Sequence, residues 1–284
     1  MSDHNIISKG NKGGYVTLRF NNSGSSWLHE ANVTGETVNS MRIVNALWSA
    51  NGVADAVGGA ARADMGDAPQ SGLLIHSRAD TDVTVATGVS DWGNSVGVNL
   101  LQATSGNQPS YDATETVGTL ANAGAITFDG TSDWLKTFAN NGSNTTSHHF
   151  MVIKPITWTT ARNLLESDGG SASHLKQAGS TPQISIAGDA LTVSYTNFTL
   201  GEWALLDCLW DGGTSNWHLG RNDDAVTTGS GGGSGWSSSI TLGANDSGGS
   251  GYCNFAIAEW LAYDDELADS TDVKNYLNDQ YGLW

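Results

Sequence analysis

The sequence predicts an all-β protein: an antiparallel jelly-roll sandwich with a short C-terminal helix, preceded by a small N-terminal β module. Three observations predict this class. Short apolar runs recur along the chain, separated by segments rich in Gly, Asn, Asp and Ser. The 284 residues include 36 glycines and only 4 prolines, which is typical of a turn-rich globular chain. One convincing helical spacing of apolar residues lies near the C-terminus.

The first 71 residues are predicted to form the N-terminal β module and its linker. Residues 15–20 and 38–48 are enriched in β-branched and aromatic residues with partial alternation, which predicts two strands separated by the turn-rich segment NNSGSSW. Residues 58–71 are mostly small and polar, as expected at a domain junction. The jelly roll is therefore predicted to occupy residues 72–284.

Strands of the jelly roll are predicted wherever a short apolar run is bounded by turn residues. These runs are Leu73–His76, Val83–Ala86, Ala125–Phe128, His149–Ile153, Ile184–Ile186, Leu191–Tyr195, Trp203–Trp210, Asn216–Leu219, Ser239–Leu242 and Asn254–Tyr263. The Gly/Ser-rich run at 227–239 is predicted to be a hairpin loop, because predicted strands lie on both sides of it; an interdomain linker is the alternative.

A helix is predicted within residues 265–284, where apolar residues recur at near-helical spacing. These residues are Leu267, Val273, Leu277 and Tyr281. Ser270 is expected to cap the amides that follow it, and Gly282 to end the helix.

Charge and hydropathy exclude several classes of function. A net charge of −17 produces a surface field that repels phosphate backbones and anionic membranes, so no nucleic-acid or membrane partner is expected. No run approaches the ~18 apolar residues of a membrane span. The first fourteen residues lack the apolar core of a secretory signal, so synthesis in the cytoplasm is expected.

The two cysteines, Cys208 and Cys253, both lie in apolar runs that resemble buried strands. Two buried thiols are favoured by a cytoplasmic origin, because disulfides persist mainly in oxidising compartments. A disulfide between them is the alternative.

Three segments carry motifs that together resemble a known family. Residues 71–111 contain a strand followed by a W-x-N-x-x-G-x-N-x-x-Q-A-T…Q-P-x-Y pattern, residues 126–137 read ITFDGTSDWLKT, and residues 257–284 contain a strand, a turn and a helix ending in Y-G-L. In this order they resemble the laminin-G-like jelly rolls of the concanavalin A-like lectin and glucanase superfamily. The resemblance implies the fold, whereas function must be argued from a site.

A catalytic carboxylate pair is not predicted. Glucanases of this superfamily place carboxylates at alternating positions of one strand, so that acid and nucleophile share a face. Glu202 and Asp207 are five residues apart and are expected on opposite faces, Glu259 stands alone in its strand, and residues 264–266 lie in a turn. A glycoside hydrolase is therefore the least favoured function, and no catalytic residue is assigned.

Metal ligands are predicted only in loops. His148 and His149 are adjacent, so they should point to opposite faces of a strand, one buried and one exposed, which is poor geometry for joint ligation. The family resemblance implies a calcium site at the rim of some sandwiches, for which Asp129, Asp133 and Asp224 are the candidate ligands. The alternative is that these residues cap turns.

The eleven tryptophans are the most unusual feature of the composition, because aromatic faces stack on sugars and anchor protein interfaces. Four of them lie in predicted strands and are expected in the core: Trp203, Trp210, Trp217 and Trp260. Trp236 lies in the Gly/Ser loop and Trp27 in the NNSGSSW turn, so both are candidate ligand contacts. Asn222 and Asp223 complete the candidate ligand-binding set.

Two functions follow as expectations. The first is a non-enzymatic virion structural protein, a capsid decoration, surface or fibre component made in the host cytoplasm. Its small module would dock to virion proteins such as the major capsid protein, its jelly roll would face outward towards cell-surface glycans, and a closed homo-oligomer is expected. The alternative is a lectin-like carbohydrate-binding module of a bacterial surface protein.

Overall fold

The chain divides into two compact units, Met1–Asp67 and Ala68–Trp284. The computed structural model describes residues 15–22, 26–34, 68–69, 71–81, 83–137, 146–167, 174–178, 182–188, 191–211, 217–229, 239–245 and 248–284. Within these ranges no helix is long and apolar enough to cross a membrane.

The described part of the first unit is an antiparallel hairpin. Strand β1 (Tyr15–Asn22) pairs with β2 (Ser26–Thr34), with a register shift after Phe20. β1 lies where a strand was predicted, whereas β2 begins inside the segment predicted as a turn; cross-strand pairing outweighs the local turn preference there. The predicted strand 38–48 lies outside the described residues.

The second unit is built almost entirely from short strands, followed by one helix. A 3-10 turn at Ser105–Asn107 interrupts the strands. The strands are β3 (Leu73–Arg78), β4 (Val83–Val85), β5 (Val89–Trp92), β6 (Leu100–Leu101), β7 (Ser110–Asp112), β8 (Ala125–Asp129), β9 (Leu135–Lys136), β10 (Thr146–Pro155), β11 (Arg162–Ser167), β12 (His174–Gln177), β13 (Ile184–Gly188), β14 (Leu191–Tyr195), β15 (Ala204–Asp211), β16 (Trp217–Arg221), β17 (Thr227–Gly229), β18 (Ile240–Leu242) and β19 (Asn254–Tyr263), and the helix is α1 (Thr271–Tyr281).

These strands form two antiparallel sheets. The eight-stranded sheet has the order β17-β16-β15-β10-β19-β8-β7, and β3 pairs with β19 next to β8. The nine-stranded sheet has the order β14-β13-β12-β11-β18-β9-β6-β5-β4. The predicted all-β sandwich with a short C-terminal helix is confirmed.

The local predictions differ in outcome. Each of the ten predicted apolar runs contains a strand, but β5, β6, β7, β9, β11, β12 and β17 were not predicted, because they are short or largely polar. The Gly/Ser-rich run is not a hairpin: β17 belongs to the eight-stranded sheet and β18 to the nine-stranded sheet. The chain therefore crosses between the sheets there.

The core between the sheets contains most of the large apolar side chains. Trp210, Trp217 and Trp260 are fully buried as predicted, and the rings of Trp210 and Trp217 stack 4.4 Å apart. Trp203 is an exception, since it precedes β15 and is only partly buried, with the Lys154 ammonium 5.0 Å from its ring centre. Both cysteines are buried free thiols, and burial raises the pKa of each.

A second apolar cluster joins helix α1 to the outer face of the eight-stranded sheet. Val273, Leu277 and Tyr281 of the helix pack with Phe150 and Leu261 of the sheet. Because this face is covered, both faces of the central strands are buried, and all eight residues of β15 are inaccessible. The prediction that only one of two adjacent histidines would be buried is therefore wrong.

Helix α1 ends as predicted but begins differently. Gly282 has φ 61°, and its N–H donates to the Asn278 carbonyl at 2.7 Å, a left-handed C-terminal cap. The predicted side-chain cap at Ser270 is wrong, because its hydroxyl makes no capping bond. Asp269 instead accepts the N–H of Thr271 at 2.8 Å.

Candidate functional site

A row of side chains crosses the outer face of the nine-stranded sheet. Residues directly opposite each other on neighbouring strands share a face, and successive pairs join seven residues in one line: Thr84, Asp91, Leu101, Lys136, Thr241, Glu166 and His174. The alternate residues Trp92, Leu135 and Leu242 are fully buried in the core. The row therefore points away from the core, and five of its residues are at least partly exposed.

A cavity of about 370 Å³ opens at the β4–β5 end of this row. Such a volume lies within the range of small-molecule sites, roughly 300–1,000 Å³. The lining side chains include a hydroxyl, a carboxylate and two carboxamides, and the full lining is Val83, Thr84, Asp91, Gly93, Asn94 and Asn99. Polar groups of this kind form hydrogen bonds with uncharged hydroxyl-rich ligands.

One carboxamide organises the wall of the cavity. The Asn94 Oδ1 accepts the N–H groups of His76 at 2.9 Å and Val96 at 3.2 Å, and its Nδ2 donates to the Leu74 carbonyl at 3.2 Å. The Asn94 N–H donates to Asn99 Oδ1 at 3.0 Å. The two asparagines of the W-x-N-x-x-G-x-N pattern thus hold the loop after β5 in one conformation.

The glutamines of the same pattern fix the neighbouring loops. Gln102 Oε1 accepts the Thr104 N–H at 2.9 Å, and Gln108 Oε1 accepts the Gly88 N–H at 3.0 Å. Gln108 Nε2 donates to the Gln102 carbonyl at 2.9 Å. The segment that carries the family resemblance therefore builds the rim of the cavity, although no functional residue was predicted in it.

Asp91 distinguishes the cavity chemically, and three exposed valines lie close to its lining residues in sequence. The Asp91 Oδ1 is shielded from solvent and accepts no hydrogen bond, so it is an acceptor in need of a donor. Val85, Val96 and Val98, which flank the lining residues in sequence, are 50%, 42% and 36% exposed. Apolar surface of this kind can pack against the C–H groups of a ligand.

The polar groups on the opposite face of the sandwich are already paired. Asp207, 1% exposed, is hydrogen-bonded through Oδ1 to His148 Nε2 at 2.8 Å and His218 Nε2 at 3.1 Å, and through Oδ2 to Lys274 Nζ at 2.6 Å. Burial opposes ionisation, but the bonds from both imidazoles and the charge of the ammonium outweigh it, so the pKa of Asp207 is well below its usual range.

This cluster is the set of potential metal-ligating side chains that the described residues bring together. One ligand atom each from His148, Asp207 and His218 lies within 4.8 Å of the others, and such atoms suit a divalent transition metal. The Lys274 ammonium, however, already neutralises Asp207, so an added dication would leave an excess of buried positive charge. The arrangement supports attachment of the helix better than metal binding.

A second carboxylate, Glu259, anchors the other end of the helix. It is fully buried, and it accepts hydrogen bonds from the hydroxyls of Tyr276 at 2.9 Å and Tyr281 at 2.7 Å and from Gln280 Nε2 at 2.6 Å. His76 Nε2 lies 3.0 Å from the same carboxylate. Burial raises the pKa of Glu259, but these bonds and nearby positive charges lower it overall.

The structure brings two of the three predicted calcium ligands into one turn. Asp129 Oδ1 accepts the N–H groups of Thr131 and Ser132 at 2.7 and 2.9 Å, as in an Asx turn, and Asp133 Oδ2 accepts the Asp129 N–H at 3.0 Å. Asp224 lies in a different loop, where it accepts the Tyr195 hydroxyl at 2.8 Å. The three carboxylates do not form a common site.

The two carboxylates of this turn have opposite pKa shifts. Burial opposes ionisation of Asp129, but hydrogen bonds from Thr131, Ser132 and Asp133 outweigh it and lower its pKa to about 2. Burial and the nearby Asp129 charge raise the pKa of Asp133 to about 6, against one backbone hydrogen bond. Asp133 is therefore a buried carboxylate whose backbone hydrogen bond does not offset the free-energy cost of ionising it.

The predicted ligand contacts lie apart from the cavity. Asn222 is 5% exposed and has φ 55°. Its Oδ1 accepts the Leu205 N–H at 2.9 Å, so its side chain holds the turn after β16 against β15. Asp223 is exposed in the same turn. Trp27 lies in β2, whose side chains are outside the described part of the chain, and Trp236 lies outside the described residues altogether.

Comparison with solved structures supports the fold. Domain 4 of AbnA, a GH43 extracellular arabinanase from Geobacillus stearothermophilus in complex with arabinotriose, has a TM-score of 0.53 at 16% identity, covering 73% of this chain and 99% of that domain. Trypanosoma rangeli sialidase has a TM-score of 0.51 at 13% identity, covering 93% of this chain and 42% of the sialidase. The chain thus spans less than half of the sialidase.

No protein-family model and no curated protein matches the chain. At these identities the structural likeness shows the fold alone. The chain is therefore an antiparallel β-sandwich protein, similar in architecture to a domain of an arabinanase and to part of a sialidase.

Proposed function

We propose that the protein is a non-enzymatic binding protein whose sandwich unit binds carbohydrate at the β4–β5 cavity. The observation that carries this proposal is the polar cavity beside β4, the edge strand of the nine-stranded sheet. Its lining includes the polar side chains of Thr84, Asp91 and Asn99, and the carboxamide of Asn94 holds the adjoining loop in place. The likeness to an arabinanase domain whose structure contains arabinotriose supports the same proposal.

The positions of the carboxylates support a binding role rather than hydrolysis. Glycosidases separate their two carboxyl groups by roughly 5 to 9.5 Å. On the open face, Asp91 of β5 and Glu166 of β11 are four strands apart, or about 19 Å at the usual strand spacing. Two further carboxylates, Asp207 and Glu259, are buried beneath α1 and are saturated with hydrogen bonds.

Blocking the cavity tests the proposal. Thr84 is an exposed lining residue, so Thr84→Trp should fill the cavity without disturbing the core. Binding of the full chain to a glycan array, and to arabinotriose by titration calorimetry, should fall by about tenfold or more. Thr228→Trp is the matched control, an exposed threonine on edge strand β17 of the other sheet.

The experiment distinguishes failure of the proposed site from failure of the proposed function. Loss of glycan binding in Thr84→Trp with retention in Thr228→Trp supports the cavity as the site. Equal binding by both variants would exclude the cavity, and a wild-type chain that binds no glycan would refute the proposed function itself.

The virion setting is a proposal that rests on the sequence resemblance. In it, the jelly roll faces outward on a particle and the first unit contacts virion proteins such as the major capsid protein, in a closed homo-oligomer. Immunogold electron microscopy of virus particles with antibody to the recombinant protein tests it. Regular labelling of capsid or tail is expected, and unlabelled particles with an accessible epitope would contradict it.

A further inference from the structure

We infer that the β4–β5 cavity selects neutral glycans and rejects glycans that end in an anionic group such as a sialic acid or a sulfate. This inference rests on the proposed function and specifies its ligand class. The likeness to a sialidase concerns the fold alone, so the ligand class follows from the residues around the cavity.

The charges around the cavity carry the inference. Asp91 is the charged residue of the lining, and none of the six lining residues is a lysine or an arginine. In the row of side chains, Leu101 separates Asp91 from Lys136, which places the nearest cation of the row two strands away, or about 10 Å. A bound anion would therefore meet a carboxylate without a compensating cation.

The arginine of strand β3, whose backbone contacts the cavity wall through Asn94, is already ion-paired. Arg78 of β3 donates to Asp80 through Nε at 3.1 Å and through Nη2 at 2.9 Å, a two-point ion pair. The whole chain carries 29 acidic against 12 basic residues, so the long-range field also opposes an anionic ligand.

Hydrogen-bond chemistry leads to the same ligand class. Asp91 Oδ1 is a shielded acceptor without a donor, and the Oδ1 atoms of Asn94 and Asn99 already accept backbone N–H groups. The Asp91 side chain is partly exposed, so its carboxylate can accept a sugar hydroxyl from the cavity, whereas a carboxylate or sulfate group of a ligand has only acceptors to offer. A neutral sugar can therefore donate to this carboxylate, whereas an anionic group would face it as a like charge.

An array of matched glycans tests the inference. Each neutral glycan is printed beside its sialylated and its sulfated counterpart, and the full chain is applied at physiological salt. We expect the neutral member of each bound pair to bind about tenfold or more tightly, because juxtaposed like charges are unfavourable. The preference should weaken as the salt concentration rises.

The decisive variant is Asp91→Asn, which removes the charge and keeps the shape of the side chain. Its binding of the anionic members should rise towards that of the neutral members, so that the preference falls to within about threefold. Asp279→Asn is the matched control, because Asp279 is exposed on α1, on the other side of the sandwich, and the same loss of charge there should leave the preference unchanged.

Each outcome decides a separate point. A wild-type chain that binds anionic members as tightly as neutral ones overturns the inference and leaves carbohydrate binding intact. A preference that survives Asp91→Asn, or that also disappears in Asp279→Asn, shows that the cavity charge is not its cause and overturns the inference. If the wild-type chain binds no glycan at all, the inference falls together with the proposed function.

Discussion

The two outer faces of the sandwich use polar side chains in opposite ways. On the eight-stranded sheet, Asp207 and Glu259 are buried beneath helix α1, and every partner described above is a side chain of the same unit. On the nine-stranded sheet, Asp91 borders an open cavity and one of its oxygens has no donor. Carboxylates therefore hold the fold together beneath the helix, whereas Asp91 borders a cavity and one of its oxygens has no hydrogen-bond donor.

The difference arises from what covers each face. Helix α1 supplies the apolar residues Val273 and Leu277 together with Lys274, Tyr276 and Gln280, so that it buries the sheet and satisfies its carboxylates at once. A buried carboxylate is tolerated only where enough donors surround it. Substitutions on the covered face should therefore act on stability, and those at the cavity on binding.

The largest effect is expected at Glu259. Replacement by alanine in the variant Glu259→Ala leaves two tyrosine hydroxyls and a glutamine amide buried without their acceptor. Urea unfolding followed by tryptophan fluorescence should show a loss of about 3–5 kcal/mol, and Glu259→Gln a smaller loss. Glu266→Ala, in the exposed turn before α1, should change stability by less than about 0.5 kcal/mol. A loss below about 1 kcal/mol for Glu259→Ala would contradict the view that the carboxylates beneath α1 stabilise the fold.

A second, smaller effect is expected where Asp207 meets Lys274. Asp207→Asn should cost about 2–3 kcal/mol, because it leaves the Lys274 ammonium partly buried without its counter-charge. Adding Lys274→Met should recover part of that loss, since it removes the unpaired cation and retains the apolar stem. Losses that simply add in the double variant would show that the two charges do not interact. The readout is the same urea unfolding, at pH 7.

The fold was largely predictable, but not strand by strand. The long apolar runs of β10, β15 and β19 form the centre of one sheet, and Gly282 ends the helix in the left-handed conformation that glycine favours. The polar strands β11 and β12 were missed because they are defined by pairing with distant strands rather than by their own composition.

The candidate site was less predictable than the fold. Asn94 and Asn99 lay within a recognised motif, yet composition alone could not show that their hydrogen bonds shape a cavity wall. A weak signal was present, because an asparagine just after a strand often bonds to the backbone of the loop that follows, as Asn94 does to Val96. The partners of Asp207 could not be found in this way, since His148 is 59 residues away in sequence.

The smallest effect on stability is expected at Asp133, in the turn between β8 and β9 that joins the two sheets. Asp133 is 8% exposed and accepts one backbone N–H, so it is a buried carboxylate without the donors that surround Glu259. Its pKa is raised to about 6, above the value of about 3.9 expected in the unfolded chain. The protonated form therefore favours folding, and stability from this group is greatest below about pH 4 and is lost as the pH rises through about 6.

Asp133→Asn should accordingly stabilise the protein at pH 7, by about 1–2 kcal/mol, because the amide resembles the protonated acid and retains an oxygen that can accept the Asp129 N–H. The gain over wild type should shrink through pH 5 and vanish near pH 3.5, where the wild-type side chain is itself protonated in the folded state. Urea unfolding of both proteins across this range measures it. A gain that does not depend on pH would mean that packing, and not the charge, distinguishes Asp133 from the well-paired carboxylates beneath the helix.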